Sequence, residues 1–226
     1  MGIIPKLTLG KFTTFVNTKN IIFTSQGRVA AYNIFKFLIS DKKNEFIISP
    51  YTLTEVINAI NYAGGKVKYV DINIKTGLPD EKKIDELISD NTAGIVITHL
   101  YSNDGDINNF KMKYYGKIKI IEDAAINFGA QNNAGQHIGT LFDYGFFSFG
   151  VMKSLCTFNG GAIFAKNDND LFKIKQQMET EINYPKSKSI RLVLFTLMID
   201  IIYNKFIFKF VSYYLLNLVN YFNISF

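Results

Sequence analysis

The sequence has little of what several classes of protein depend on. Its 226 residues include one cysteine (Cys156), two histidines (His99 and His137), four prolines and no tryptophan. One thiol cannot close a disulfide within the chain, so we expect a reducing compartment, the cytoplasm. The first nine residues lack the apolar run of a secretory leader, which agrees with that expectation. Neither histidine has neighbours at metal-ligand spacing, so no zinc site is expected.

Arginine is also scarce. Among 25 basic residues only Arg28 and Arg191 are arginines, and the net charge of +6 comes from lysines scattered along the chain. Lysine cannot make the bidentate contacts with base edges that arginine makes. We therefore interpret the basic charge as a solvated surface and predict no nucleic-acid partner.

Long uncharged apolar runs are missing as well. Residues 192–226 are dominated by Leu, Ile, Phe, Tyr and Val, but Asp200, Lys205 and Lys209 interrupt them. A spanning helix needs about 18 or more apolar residues, so we do not expect one here. The segment is instead interpreted as apolar helices, and three surfaces could cover them: a partner, a further domain or the face of a membrane.

The remaining sequence alternates short apolar runs rich in β-formers with helical patterns. This alternation predicts an α/β fold with a mainly parallel sheet. A first helix is expected after Gly27, because Ala31, Ile34, Phe35 and Leu38 recur at helical spacing. Residues 46–48, 67–72, 95–97, 118–121, 146–149 and 162–164 are predicted strands.

Two details of this pattern bear on the site. Thr52 and Glu55 have the spacing of a capping box, so a second helix is predicted to open at Thr52 and to stop at Gly64 and Gly65. Only twelve residues separate the last two predicted strands, too few for a crossover helix, and we expect an irregular loop there. That loop contains Lys153.

Three features converge on the carboxyl ends of the predicted strands. Asp123 follows one strand, Lys153 follows another, and Gly27 precedes a helix whose N–H groups would face the same edge. Ligands of open α/β sheets bind at this edge. A carboxylate, an amine and a helix N-terminus together suit a phosphorylated pyridine aldehyde.

An ordered set of motifs makes the prediction more specific. It comprises Gly27-Arg28-Val29-Ala30-Ala31, Tyr51-Thr52, Tyr62-Ala63-Gly64, Val70-Asp71-Ile72, His99-Leu100-Tyr101, Glu122-Asp123-Ala124-Ala125, Gly129-Ala130, Gly139, Phe147-Ser148-Phe149, Lys153 and Gly160-Gly161. Over roughly residues 19–166 this set resembles the DegT/DnrJ/StrS family of nucleotide-sugar aminotransferases. The resemblance implies the three-layer α/β/α large domain of a fold-type I transferase over residues 1–185, then an apolar helical segment over 186–226.

The resemblance also implies a cofactor, pyridoxal 5'-phosphate, and a role for each matching residue. Lys153 would carry the cofactor and move a proton between it and the substrate. Asp123 would pair with the pyridine nitrogen. Ser148 would bind the phosphate together with the backbone around Gly27 and Arg28. The substrate pocket would lie near His99 and Tyr101.

Two positions depart from the family pattern. Leu53 stands where the family commonly has an aromatic ring over the cofactor, and Ile126 stands where it usually has Gln or His near the ring oxygen. Leucine gives up the stacking geometry, and isoleucine gives up a hydrogen bond. The chain, at 226 residues, is also shorter than members of the family, which exceed 300 residues and have a C-terminal small domain.

Two hypotheses follow. In the first, the chain is an aminotransferase that acts on a keto sugar linked to a nucleotide, takes its amine from an amino acid such as glutamate, and forms a homodimer. A dehydratase branch of the family replaces the cofactor lysine, which is retained here as Lys153, so that reading ranks lower. In the second hypothesis, the chain is a degenerate or truncated relative that binds a sugar nucleotide or a partner subunit. Peripheral contact with a membrane through residues 192–226 is a further alternative.

Overall fold

The structure, a computed structural model, describes residues 12–100, 107–157, 159–181, 186–202, 204–214, 217 and 221. The chain divides into two compact units, Met1–Ile182 and Asn183–Phe226. The first unit contains the sheet and every described residue of the predicted site.

The described strands of the first unit form one seven-stranded sheet in the order β1-β7-β6-β5-β4-β2-β3. Only β7 runs antiparallel to its neighbours, β1 and β6, so the expected mainly parallel, mixed sheet is confirmed. The strands are β1 (Ile21–Thr24), β2 (Glu45–Ile48), β3 (Lys66–Tyr69), β4 (Thr92–Thr98), β5 (Ile120–Asp123), β6 (Tyr144–Ser148) and β7 (Gly161–Ala165).

Helices cover both faces of this sheet. They are α1 (Gly27–Leu38), α2 (Thr54–Tyr62), α3 (Glu81–Leu87), α4 (Ile107–Tyr114) and α5 (Asp168–Glu181). Alternate strand residues enter two separate cores, as the twofold period of a strand requires. Val96 and Ile121 pack with residues of α1, α2 and α5, whereas Ile95 and Ile120 pack with residues of α3 and α4. This is a three-layer α/β/α arrangement.

The predicted start of the second helix is wrong. Helix α2 begins at Thr54, and Leu53 occupies the N-cap position, where no side chain caps the helix. The spacing of Thr52 and Glu55 fits a capping box, but the buried Thr52 hydroxyl has no hydrogen-bond partner. The helix expected after Gly27 is present as α1 and begins at Gly27 itself, and the loop that holds Lys153 contains turns and bends in its described residues.

The second unit contains a longer helix, α6 (Lys186–Ile202), then a short helix, α7 (Lys205–Ile207), that continues as a π-helix (Phe208–Ser212). Within the described residues, none of the helices combines the length and the apolar character needed to cross a membrane.

Candidate active site

The candidate site lies where β4, β5 and β6 end. In the parallel ladder Thr98 pairs with Asp123, and Asp123 pairs with Phe146, two residues before Ser148. Side chains two residues apart on a strand share a face. Because Asp123 shares a face with Ile121, and Ser148 with Phe146, both side chains lie on the face covered by α1 and α2.

Asp123 is the buried carboxylate of this group, with a side chain 4% exposed. Burial is the main influence on its pKa and raises it to about 6. The Ala125 N–H, which donates to Oδ1 at 3.0 Å, opposes that rise, and so do His99, Lys153 and Thr52. A carboxylate buried beside so few donors is stabilised when a cationic or N–H group joins it.

Two buried hydroxyl groups flank this carboxylate. Among the described residues, Thr52 Oγ1 and Thr98 Oγ1 lack hydrogen-bond partners. Thr98 is the in-register neighbour of Asp123, and Thr52 lies close enough to lower the pKa of Asp123 without completing a hydrogen bond in this geometry. Unpaired buried hydroxyls cost free energy. Their position beside Asp123 is consistent with a polar ligand there.

Ser148 and Gly27 form a second part of the site. A Cβ atom added to Gly27 would lie 2.6 Å from Ser148 Cβ, so only glycine permits this close approach of α1 to β6. No side chain caps the start of α1, where Arg28 is exposed at the next position. The N-terminal end of a helix attracts anions through its amide groups. Ser148 adds a hydroxyl to that end of the helix.

Lys153 lies in the loop after β6 and is half-buried. Its positive charge lowers the pKa of Asp123, which places the amine within electrostatic reach of the carboxylate. The loop turns sharply before the lysine, because Met152 has a φ of 65°, in the left-handed region that non-glycine residues rarely adopt. Strain of this kind is often found at functional sites.

The two positions that depart from the family pattern are both at the surface. Leu53 is 50% exposed and Ile126 is 36% exposed. The Ile126 carbonyl accepts a hydrogen bond from Ser154 Oγ at 2.7 Å, which ties it to the loop that carries Lys153. Neither side chain supplies a polar group to the site.

Glu122 is a buried acid to which the sequence assigned no role. Its carboxylate is fully buried and accepts hydrogen bonds from the amides of Gly139, Leu141 and Phe142 at 2.7–3.1 Å. His99 Nε2 lies 3.0 Å from the same carboxylate. The sequence could have indicated a role for Glu122 through its position directly before Asp123. In a strand that is buried on both faces, both acidic side chains need hydrogen-bond partners.

His99 thus occupies the face of the sheet opposite to Asp123. It is 5% exposed, and its ring contacts Glu122. Its carbonyl accepts a hydrogen bond from Asn127 Nδ2. Its predicted part in a substrate pocket stays a prediction. Tyr101, the other residue predicted for that pocket, lies outside the described residues.

Comparison with known proteins decides the family. Residues 10–184 match the model of the DegT/DnrJ/EryC1/StrS aminotransferase family. The chain belongs to this family. The match includes every residue predicted to bind the cofactor.

Relatives in this family include transaminases of nucleotide-linked sugars. The chain is 31% identical over 140 residues to the UDP-4-amino-4,6-dideoxy-N-acetyl-beta-L-altrosamine transaminase of Campylobacter jejuni. The aligned region covers 59% of this chain and 36% of that protein. The chain is 32% identical over 164 residues to the dTDP-3-amino-3,6-dideoxy-alpha-D-galactopyranose transaminase of Aneurinibacillus thermoaerophilus, covering 71% and 44%. The chain therefore spans less than half the length of these relatives.

Solved structures of aminotransferases share the fold. The Helicobacter pylori aminotransferase PseC superposes with a TM-score of 0.70 at 18% identity, over 78% of this chain and 48% of that one. The sugar aminotransferase Spr1654 of Streptococcus pneumoniae superposes with a TM-score of 0.69 at 21% identity, over 79% and 50%. The α/β fold expected of a fold-type I transferase is thereby confirmed.

Proposed function

We propose that this chain is the large domain of an aminotransferase that uses pyridoxal 5'-phosphate and acts on a keto sugar linked to a nucleotide. The observation that carries the proposal is the grouping of a buried carboxylate, an amine and an uncapped helix start at one sheet edge. In this assignment the large domain comprises residues 1–185, and residues 186–226 form a separate apolar helical segment.

The residues present fit the cofactor. Asp123 is a buried acid whose pKa is raised by burial, and two unpaired hydroxyls lie beside it. Gly27 lets the start of α1 approach Ser148 closely, so that the helix-start amides and the Ser148 hydroxyl can bind the same anion. Pyridoxal phosphate has a ring nitrogen for the acid, a phosphate for the helix start and an aldehyde for Lys153.

Each end of the cofactor would be held by different groups. Ser148 Oγ and the amides around Gly27 and Arg28 would bind the phosphate, which the positive end of α1 favours. Asp123 would accept a hydrogen bond from the protonated ring nitrogen, and that positive charge would return the pKa of Asp123 toward its ordinary value. Leu53 would cover one face of the ring by dispersion alone, and Ile126 would give the ring oxygen no hydrogen bond.

Lys153 would transfer the proton between the substrate and the cofactor. Pyridoxal phosphate supplies the electron sink that allows a proton to leave the carbon next to a substrate amine. The amine of Lys153 would take that proton from the substrate carbon and return it to the neighbouring carbon of the cofactor. An amino acid, glutamate in this proposal, would give the amine, and the keto sugar would receive it in a second half-reaction.

The nucleotide-sugar substrate class rests on the names of the relatives, which act on UDP-, dTDP- and GDP-linked sugars. A homodimer in the cytoplasm is part of the same proposal. Exposed apolar side chains beside the site support the dimer: Tyr51 is 57%, Val151 62% and Met152 94% exposed. Such side chains are expected to be covered in a working enzyme.

The test is spectroscopic. Reconstitution with pyridoxal phosphate should give a visible absorption band that is lost in Lys153→Ala and kept in Lys173→Ala, a control on the exposed part of α5. Addition of glutamate should then convert the band, and addition of a nucleotide-linked keto sugar should restore it. A protein with no band, or a band that survives in Lys153→Ala, contradicts the proposal.

A second candidate is a non-catalytic relative that binds a sugar nucleotide or a partner subunit. The apolar Leu53 and Ile126, both exposed beside the site, favour it. It differs from the first in predicting no spectral change with pyridoxal phosphate, while a nucleotide-linked sugar still raises the unfolding temperature.

A further inference from the structure

The chain after residue 184 lies beyond the part that matches the family, so the proposed reaction does not account for it. Residues 186–226 contain a single carboxylate, Asp200, against five cationic side chains: Lys186, Lys188, Arg191, Lys205 and Lys209. Most of the other residues are apolar or aromatic. A segment that is both cationic and apolar selects its partner by charge as well as by hydrophobic contact.

Residues 205–214, which we name the aromatic–lysine segment, present rings to the solvent. The exposed fractions are 74% for Phe206, 64% for Phe210, 52% for Tyr213 and 66% for Tyr214. Lys209 Nζ lies 5.2 Å from the centre of the Phe210 ring. Lysines among exposed Phe and Tyr are typical of helices that lie in the headgroup region of a bilayer.

Helix α6 adds a second apolar surface. Seven of its apolar side chains are about half exposed or more: Ile190, Val193, Leu194, Phe195, Leu197, Met198 and Ile201. At 100° per residue these positions cover an arc of about 200°, and the partly exposed Ile199 extends the apolar surface farther around the helix. A groove on a protein covers one side of a helix, whereas acyl chains can surround it.

We propose that residues 186–214 bind the surface of a bilayer that contains anionic lipids. The apolar and aromatic side chains would enter the boundary between headgroups and acyl chains, and the lysines would remain at the headgroups. In this proposal the segment would lie in one leaflet, with its helices in the plane of the membrane surface. The proposal does not depend on the cofactor or on the aminotransferase reaction.

The absence of tryptophan from the sequence makes a sharp test possible. In the full chain, Phe210→Trp introduces one reporter in the aromatic–lysine segment. Phe172→Trp, at an α5 side chain 59% exposed, is its matched control. Both variants would be titrated with phosphatidylcholine vesicles that do or do not contain phosphatidylglycerol. We expect the emission of Phe210→Trp to shift to the blue and to be quenched by brominated lipid only with the anionic vesicles, while Phe172→Trp stays unchanged.

Variants that remove lysine charges test the electrostatic part of the proposal. On the Phe210→Trp background, Lys205→Gln with Lys209→Gln should weaken partition into anionic vesicles by at least tenfold. Lys42→Gln with Lys43→Gln, two exposed lysines of the first unit, should leave it unchanged. Three results overturn the proposal. They are no shift with anionic vesicles, equal binding to neutral vesicles, and emission that is already blue without lipid and does not respond to it, which would assign the segment to a protein interface.

Discussion

Asp123 and Glu122 are adjacent acids that the strand directs to opposite faces of the sheet, and their surroundings make them different. Both carboxylate oxygens of Glu122 have hydrogen-bond partners, which are three backbone amides and the His99 ring. Asp123 has one amide at hydrogen-bond distance, and burial raises its pKa to about 6. Glu122 is therefore assigned a structural role, and Asp123 can bind a ligand.

The raised pKa of Asp123 has a consequence for the protein without cofactor. Its folded pKa of about 6 lies above the ordinary value of 3.8, so between these values the folded state binds more protons than the unfolded state. Stability contributed by this group is full below pH 4 and is lost as the pH rises through 6. Asp123→Asn should therefore raise the free energy of unfolding of the cofactor-free protein at pH 7 and change it little at pH 4.

The same variant should bind pyridoxal phosphate at least tenfold more weakly, because an amide cannot neutralise the protonated ring nitrogen. Urea unfolding at the two pH values and a cofactor titration check the two halves of this prediction. Equal stability of both proteins at pH 7 would contradict the assigned burial of the charge, and unchanged affinity would contradict its role.

Glu122→Gln should destabilise the fold. One oxygen of the acid becomes an NH2 group, which cannot accept from the Leu141 and Phe142 amides or from the Gly139 amide, depending on its orientation. Leaving buried donors unpaired costs about 1–3 kcal/mol. Urea unfolding measures the loss, with Glu179→Gln on the exposed side of α5 as the control. A loss no larger than that of the control would mean that the carboxylate is not holding this loop.

At the scale of elements, the decisive contact is the approach of α1 to the end of β6. A methyl group at Gly27 would lie within 3 Å of Ser148 Cβ and Oγ. Gly27→Ala should therefore weaken both folding, by about 1–3 kcal/mol, and the binding of pyridoxal phosphate. Combining it with Ser148→Gly should recover part of the folding loss but none of the binding. Additive losses in the double variant would argue against direct contact.

Sequence patterns predicted the elements with regular periods and missed features that depend on tertiary contacts. Helix α1 could be predicted because the apolar residues after Gly27 recur at helical spacing, and the structure has a helix there. The capping box at Thr52 fits the local pattern equally well, yet the structure leaves that hydroxyl beside Asp123. Likewise the pairing of Glu122 with His99 joins residues 23 positions apart, and no local pattern encodes it.

The whole molecule is proposed to work as a dimer. Val151, 62% exposed in the loop before Lys153, would be covered by the second subunit. Val151→Glu should shift sedimentation from dimer to monomer and weaken cofactor binding. Met112→Glu, at a side chain 74% exposed on α4, should do neither. A Val151→Glu protein that remains dimeric would move the interface elsewhere.

Borohydride reduction followed by peptide mapping shows whether Lys153 carries the cofactor. After reconstitution with pyridoxal phosphate and reduction, we expect one stoichiometric cofactor adduct, on the peptide that contains Lys153. Asp123→Asn should lower the yield of this adduct. An adduct spread over several lysines of the chain, or concentrated on a lysine other than Lys153, would show that Lys153 does not carry the cofactor.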